Sequence, residues 1–294
     1  MILRTFYRIY FRHRIKKANF FLKIYLYLSL LIRYFINFFY FEKRINLDEY
    51  SKTNNKLFEQ NLHSLFEYFN SDKGNKFLDQ YPEPFKRRNK KEKVIAHAYS
   101  KYYEKYFESL KDESVNILEI GSFYGNASAA LYFYFKNAKI FGADINPDMF
   151  KYYSDRIKSF YVDSGSRESI AKNIVEKKIS FKIIIEDASH SLKDQILSLF
   201  ILFKALDPSG IFIVEELDFP EKREDMRINQ SPPSLKEILR NVIEKKDFNS
   251  EYISENEKNY FLNNVESINF YKGNFNEIAI IKKKIKKIQI IDQI

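Results

Sequence analysis

The 294-residue chain contains no cysteine. That excludes disulfides, thiol nucleophiles and cysteine metal sites, and is compatible with a reducing compartment. Histidine is scarce, four in all, so a histidine inside a motif carries weight. Acid is almost missing from the start: residues 1–44 hold ten Lys or Arg against one Glu, a net +9. Residues 281–294 hold five Lys against one Asp, a net +4, which leaves residues 45–280 at −3 of the total +10. Nucleic-acid enzymes place positive charge around the cleft; the acidic centre excludes nucleic acid as the expected partner. No internal repeat is evident, and no small-residue cleavage site follows the N-terminal apolar run.

That run, Ala18 to Phe41, is interrupted by Lys23, Arg33 and Asn37 and preceded by Arg4, Arg8, Arg12, Arg14, Lys16 and Lys17. It nearly reaches the ~20 apolar residues of a membrane span, but a span would send everything after it across the membrane. A basic, aromatic helix lying on a membrane surface fits the composition. The competing reading is a helix packed on the core or on a partner subunit. The chain therefore divides into a basic helical segment (1–44), a helical lead-in (45–110) and a main domain (111–294).

The main domain is organised around Val115 to Gly125, VNILEIGSFYG. Ile117, Leu118 and Ile120 read as a buried strand with Glu119 near its carboxyl end, and Gly121 and Gly125 let the chain turn sharply into a helix over Ala127–Phe135. Lys139 to Asp144 is a second strand ending in an acid about 20 residues after the glycine turn, where nucleotide-binding crossovers hold a ribose diol. The pattern E-x-G-x-x-x-G resembles motif I of the class I methyltransferases that use S-adenosylmethionine (SAM). The resemblance implies an α/β, doubly wound, mostly parallel sheet with a C-terminal antiparallel hairpin. SAM is a cytoplasmic cofactor, so it also implies a cytoplasmic enzyme, peripheral at the inner membrane face if the first helix binds there.

Further elements follow in order. Leu57 to Phe69 carries an apolar stripe, and a loop surrounds Pro82 and Pro84. A helix is expected over 94–110. Asn146-Pro147 opens a helix to about Ile157, and Phe160–Asp163 is a short strand. Ser169–Lys177 is a helix, Phe181–Ile185 an apolar strand, and Ser191 with Asp194 caps a helix to about Ala205. Ile211–Val214 is the next strand. Residues 219–233 are long enough for a lid. Ser234 and Glu237 form a capping box, and 268–271 with 278–281 make the closing hairpin.

Ligands of open α/β sheets bind beyond the carboxyl ends of the strands. Those ends carry Glu119, Asp144, Asp163, Asp187 and the Glu215-Glu216 pair. The first three suit SAM. The others would repel one another unless neutralised, and a hard divalent cation, Mg²⁺, is the economical answer. His190, three residues after Asp187, can take a hydroxyl proton during methyl transfer. The blander readings are solvated acidic turns and a helix-capping histidine.

The region from about 70 to 284 resembles the metal-dependent sugar O-methyltransferases that tailor macrolide antibiotics, the rhamnosyl O-methyltransferase and cephalosporin hydroxylase group. That resemblance implies Asp187, Glu215 and Glu216 as metal ligands, with Glu216 standing where the group has Asp. It implies His190 as base and a sugar-containing substrate, and the group's N-terminal parts often assist homo-oligomerisation. Ser71-Asp72-Lys73-Gly74 followed by His97, Tyr99 and Tyr103 resembles the segment before motif I in one methyltransferase subgroup, though Tyr99 and Tyr103 also suit a core. The rival readings are a non-catalytic membrane-surface module on this fold, or a metal-independent methyltransferase of another small molecule.

Overall fold

A computed structural model describes residues 19–38, 44–78 and 93–285. The basic residues before Asn19, the Pro82–Pro84 loop and the end of the C-terminal lysine-rich tail lie outside the described residues.

The chain opens with α1 (Phe20–Phe38). The lead-in follows as β1 (Ile45–Asn46), α2 (Leu47–Thr53), α3 (Leu62–Tyr68), β2 (Lys76–Leu78), β3 (Lys93–Ile95) and α4 (Ser100–Phe107). Asn46 and Asn61 cap α2 and α3 with their side-chain oxygens, and the Asn61 cap divides the stripe from 57 to 69 between a 3-10 turn, Asn55–Glu59, and α3. The helix expected from 94 starts at Ser100, because residues 93–95 pair with β2.

The main domain runs β4 (Asn116–Ile120), α5 (Asn126–Tyr134), β5 (Lys139–Asp144), β6 (Tyr152–Tyr153), β7 (Ile157–Tyr161), α6 (Arg167–Asn173), β8 (Phe181–Glu186), α7 (Leu192–Leu202) and β9 (Leu206–Val214). It continues through α8 (Phe219–Lys222), α9 (Leu235–Lys245), α10 (Glu255–Asn264), β10 (Val265–Lys272) and β11 (Glu277–Lys283). Seven strands form one sheet in the order β10-β11-β9-β8-β4-β5-β7. β11 is antiparallel to both β10 and β9, and the remaining pairs are parallel. This is the class I methyltransferase sheet with its terminal hairpin.

Strand alternation splits the core in two. Leu118, Ile184, Phe212 and Ala279 face α6, α7, α9 and α10. Ile117, Ile183, Ile213 and Ile280 face α5 and the lead-in. Every residue of α5 is buried, because the sheet covers one side and the lead-in the other. The lead-in therefore shares a core with the sheet.

The segment after Pro147 departs from expectation. The helix expected after Pro147 is a single 3-10 turn, Pro147–Met149. Phe150 turns inward instead, its ring filling the space above Gly125 and Gly142, and Tyr152–Tyr153 then pair with β1. Ser191 makes no side-chain cap on α7; Asp194 accepts a hydrogen bond from Ser189 Oγ instead. The Ser234–Glu237 capping box is present, and a second box at Ser254 and Glu257 starts α10, a polar helix that apolar periodicity missed. Residues 219–233 are not all loop: Phe219, Arg223 and Met226 line the cleft from residues 219–226. Residues 219–226 fold into α8 and a 3-10 turn, held by Lys236 to Glu221 (3.3 Å) and Lys222 to Asp218 (2.7 Å). Among the described residues no helix is long and apolar enough to cross a membrane.

Candidate active site

A cleft of about 450 Å³ opens at the carboxyl ends of β4, β5, β8 and β9. Its first half is made largely of backbone. Gly121 (φ +86°) turns the chain out of β4, and a Cβ there would stand 1.9 Å from the carbonyl oxygen of Asp187. Gly125 (φ +77°) starts α5 over the Phe150 ring. Both conformations favour glycine. Asp144 Oδ2 accepts the Phe123 N–H (2.9 Å) and Oδ1 accepts the Asn146 N–H (2.6 Å). Burial pushes the Asp144 carboxyl above its ordinary value, and these two bonds pull it back. Glu119 lies at the back, accepting Ser128 Oγ at 2.5 Å. Burial lifts it to about 7, with Lys73 and Ser128 pulling the other way.

Ser122 Oγ and Asn146 Oδ1 are buried without a protein partner beside Asp144. Buried polar atoms are normally paired, so these two fit a turn that receives a polar cofactor. Asp163 accepts the N–H of Gly165 in its own turn, and is not among the residues lining the cleft.

The second half is made of charged side chains. Asp187 follows β8, with Oδ2 2.5 Å from Lys73 Nζ and Oδ1 3.7 Å from His190 Nε2. Glu216 Oε2 is 2.6 Å from His190 Nε2. Its Oε1 accepts Asn276 Nδ2 (3.1 Å) and lies 3.4 Å from His97 Nε2. Glu215 turns the other way, to Lys73 Nζ (2.9 Å) and the Tyr103 hydroxyl. His190 (φ +55°) and Glu216 (φ +49°) are both left-handed, a strain of the kind that gathers at functional sites. Gln195 steadies the turn by donating to the Glu215 and Glu216 carbonyls (3.3 and 3.2 Å).

Burial pulls His190 down, but Glu216, Asp187 and Glu186 outweigh it and hold the imidazole at about 9. Burial raises Glu216 while His190 and His97 lower it further, leaving it below the usual carboxylate range. Glu215 is pushed well up, by burial and then by Asp187, against Lys73 and Tyr103. Burial pulls the Lys73 ammonium down, but Asp187 and Glu215 outweigh it and hold it well above its ordinary value. Ligand atoms of Asp187, His190 and Glu216 come within 4.8 Å of one another. Two carboxylates and an imidazole at that spacing fit a divalent ion.

The structure thus brings Asp187, Glu216 and His190 together and sets Glu215 behind them. Sequence reasoning gave no role to Lys73, His97, Tyr103 or Asn276. For three of these a signal existed in the Ser71–Gly74 and His97–Tyr103 segments. Those segments are zipped by backbone: His97 N–H to Asp72 O (2.8 Å), Ala98 N–H to Gly74 O (2.8 Å) and Tyr99 N–H to Lys73 O (3.0 Å). Tyr99 and Tyr103 are buried in the core, yet Tyr103 also bonds Glu215.

No protein-family profile matches the chain. It is similar to the 8-demethyl-8-alpha-L-rhamnosyl tetracenomycin-C 2'-O-methyltransferase of Streptomyces olivaceus, 26% identical over 137 residues, 44% of this chain and 36% of that protein. It is also similar to the mycinamicin VI 2''-O-methyltransferase of Micromonospora griseorubida, 27% identical over 130 residues, 41% of this chain and 32% of that protein. Each match thus spans about a third of these curated relatives. Among solved structures, the MycE methyltransferase in complex with Mg, SAH and mycinamycin VI aligns with a TM-score of 0.58 at 18% identity, covering 80% of this chain and 57% of that one. At that identity the match establishes the fold.

Proposed function

We propose that this protein is a SAM-dependent O-methyltransferase that uses a divalent ion, Mg²⁺, and a sugar hydroxyl as acceptor. The observation that carries the reading is that Asp187, His190 and Glu216 open into the same cleft as the glycine turn and Asp144. The two curated relatives, one named as a rhamnosyl tetracenomycin-C 2'-O-methyltransferase and the other as a mycinamicin VI 2''-O-methyltransferase, support the acceptor class.

In this reading Asp144 and the Gly121–Gly125 turn hold SAM. Asp187 and Glu216, with Glu215 behind, hold the ion, which when bound supplies Lewis acidity to an acceptor hydroxyl. His190 takes that hydroxyl's proton while the oxygen forms its bond to the methyl carbon and the carbon–sulfur bond breaks. The ring accepts a proton only when neutral, and Glu216 is the main group keeping it charged. Competition for the Glu216 oxygens therefore frees His190 to act. Among the described residues, Asp72, Glu119, Asp144, Asp187 and Glu216 line the cleft against the cations Lys73, Arg223 and, with its proton held, His190. That balance disfavours polyanions and suits the neutral hydroxyls of a glycan, glycolipid or glycosylated metabolite.

The test is methyl transfer from labelled SAM to a panel of glycosides. A chelator and Asp187→Ala should each abolish turnover, and His190→Ala should lower it by about 10²–10⁴-fold with SAM binding intact. Turnover untouched by chelation would favour the metal-independent alternative.

A second reading concerns where the enzyme works. α1 exposes Phe20, Phe21, Leu28, Leu31, Ile32 and Phe35, and residues 1–44 carry +9. Each basic residue near an anionic bilayer contributes about 1 kcal/mol. The full chain should therefore sediment with anionic phospholipid vesicles, and a chain starting at residue 45 should stay in the supernatant. Equal sedimentation would defeat this reading. Dimerisation of the full chain alone, without vesicle binding, would give the helix to a second copy.

A further inference from the structure

The acid cluster contains a cation of its own. Lys73 is 1% exposed, yet it ends among three carboxylates: Asp187 at 2.5 Å, Glu215 at 2.9 Å and Glu119 at 3.9 Å. A lysine is almost never fully buried unless paired, and this one is paired on every side that bears charge. Its backbone is equally fixed. The Lys73 N–H bonds Ser71 Oγ (3.3 Å), and its carbonyl accepts the N–H groups of Tyr99 (3.0 Å) and Ser100 (3.1 Å). The ammonium is delivered to the strand ends by a rigid segment rather than by a swinging side chain.

We propose that Lys73 is the resident counter-ion of the acid cluster, a positioning residue that holds Asp187 and Glu215 in the arrangement a divalent ion completes. The inference rests on the metal-dependent reading above. Lys73 takes Asp187 Oδ2 and Glu215 Oε1 and leaves Asp187 Oδ1 on the side of His190, with Glu216 across from it. It thereby decides which oxygen of Asp187 is offered to the cleft. It also keeps buried carboxylates from repelling one another before any ion arrives; removing one partner of a buried ion pair leaves an uncompensated charge. By approaching Glu119 it joins the acid cluster to the cofactor half through one charge.

The experiment compares wild type, Lys73→Met, and the double variants Lys73→Met/Glu215→Gln and Lys73→Met/Glu216→Gln. Melting is followed in chelator and in Mg²⁺. In chelator, Lys73→Met should lower the melting temperature. Glu215→Gln should restore much of the loss, because it neutralises the stranded partner, whereas Glu216→Gln should not. Mg²⁺ should raise the melting temperature of Lys73→Met more than that of wild type. The Lys73→Met/Glu215→Gln protein, folded by circular dichroism, should still lose about 10–100-fold in kcat, the usual effect of losing a group that orients a metal ligand, with its KM for SAM unchanged. Equal rescue by both double variants, or none by either, would overturn the proposal. A wild type with no response to Mg²⁺ would sink the metal-dependent reading instead, and the choice between the two rescues would still decide the role of Lys73.

Discussion

The two halves of the cleft are built from different materials. Around Asp144 both carboxylate oxygens are taken by backbone N–H groups two and twenty-one residues away. The turn depends on glycines that no side chain could replace. Around Asp187 and Glu216 the partners are side chains from far off: Lys73 is 114 residues from Asp187, Tyr103 is 112 from Glu215 and Asn276 is 60 from Glu216. The cofactor half is local in the chain and the acid half is an assembly of distant segments. Local sites survive moderate changes elsewhere, and assembled ones need the whole fold.

That difference predicts where damage spreads. The largest effect is expected at Gly121, where the backbone of one half lies against the backbone of the other. An alanine there would force a left-handed conformation on a Cβ and press it against the Asp187 carbonyl, costing about 2–5 kcal/mol from the two penalties together. SAM affinity and Mg²⁺ affinity should fall together in calorimetry. Gly125→Ala meets only the Phe150 ring, at 2.6 Å, so it should weaken SAM binding and spare Mg²⁺. Loss of SAM binding alone in Gly121→Ala would show that the halves are separable there.

A smaller effect sharpens the comparison through pH. Glu119 holds its proton to about 7 in the folded chain against an ordinary 4.5. The folded state therefore binds more protons than the unfolded one between those values. This contribution to stability is complete below about pH 4.5 and is lost as pH rises through 7, a change on the order of 3 kcal/mol at 1.36 per unit. Glu119→Gln, which imitates the protonated group, should flatten that part of the stability profile in thermal melts between pH 4.5 and 7.5. A profile as steep as wild type would mean that Glu119 is not the group titrating.

The same division explains what could be read in advance. The glycine turn, the acid on β5, the Asp187-x-x-His190 spacing, the Ser234–Glu237 box and the closing hairpin are short-range patterns, visible as residue types at fixed offsets. The failures were tertiary. A helix was expected after Pro147 because Asn-Pro starts helices, but Phe150 was needed to fill two glycine gaps. Ser191 had the right spacing to Asp194 for a box, but Ser189 won the carboxylate. Lys73 stands in a segment that resembles the one before motif I, and no local pattern says that its ammonium ends among Asp187, Glu215 and Glu119. Glu215 and Glu216 are neighbours in sequence and read as a pair. The left-handed turn at Glu216 sends them to different partners.

The hairpin of β10 and β11 carries one more consequence, in the order of synthesis. Lys73, His97, Asp187 and His190 all leave the ribosome before Asn276, whose amide is the final donor to Glu216. Until β11 enters between β10 and β9, the apolar strand Ile211–Val214 has an open edge and Glu216 lacks that donor. The nascent chain thus carries nearly every group of the acid cluster while one of its carboxylates is not yet aimed. Completion of the acid cluster therefore waits on β11.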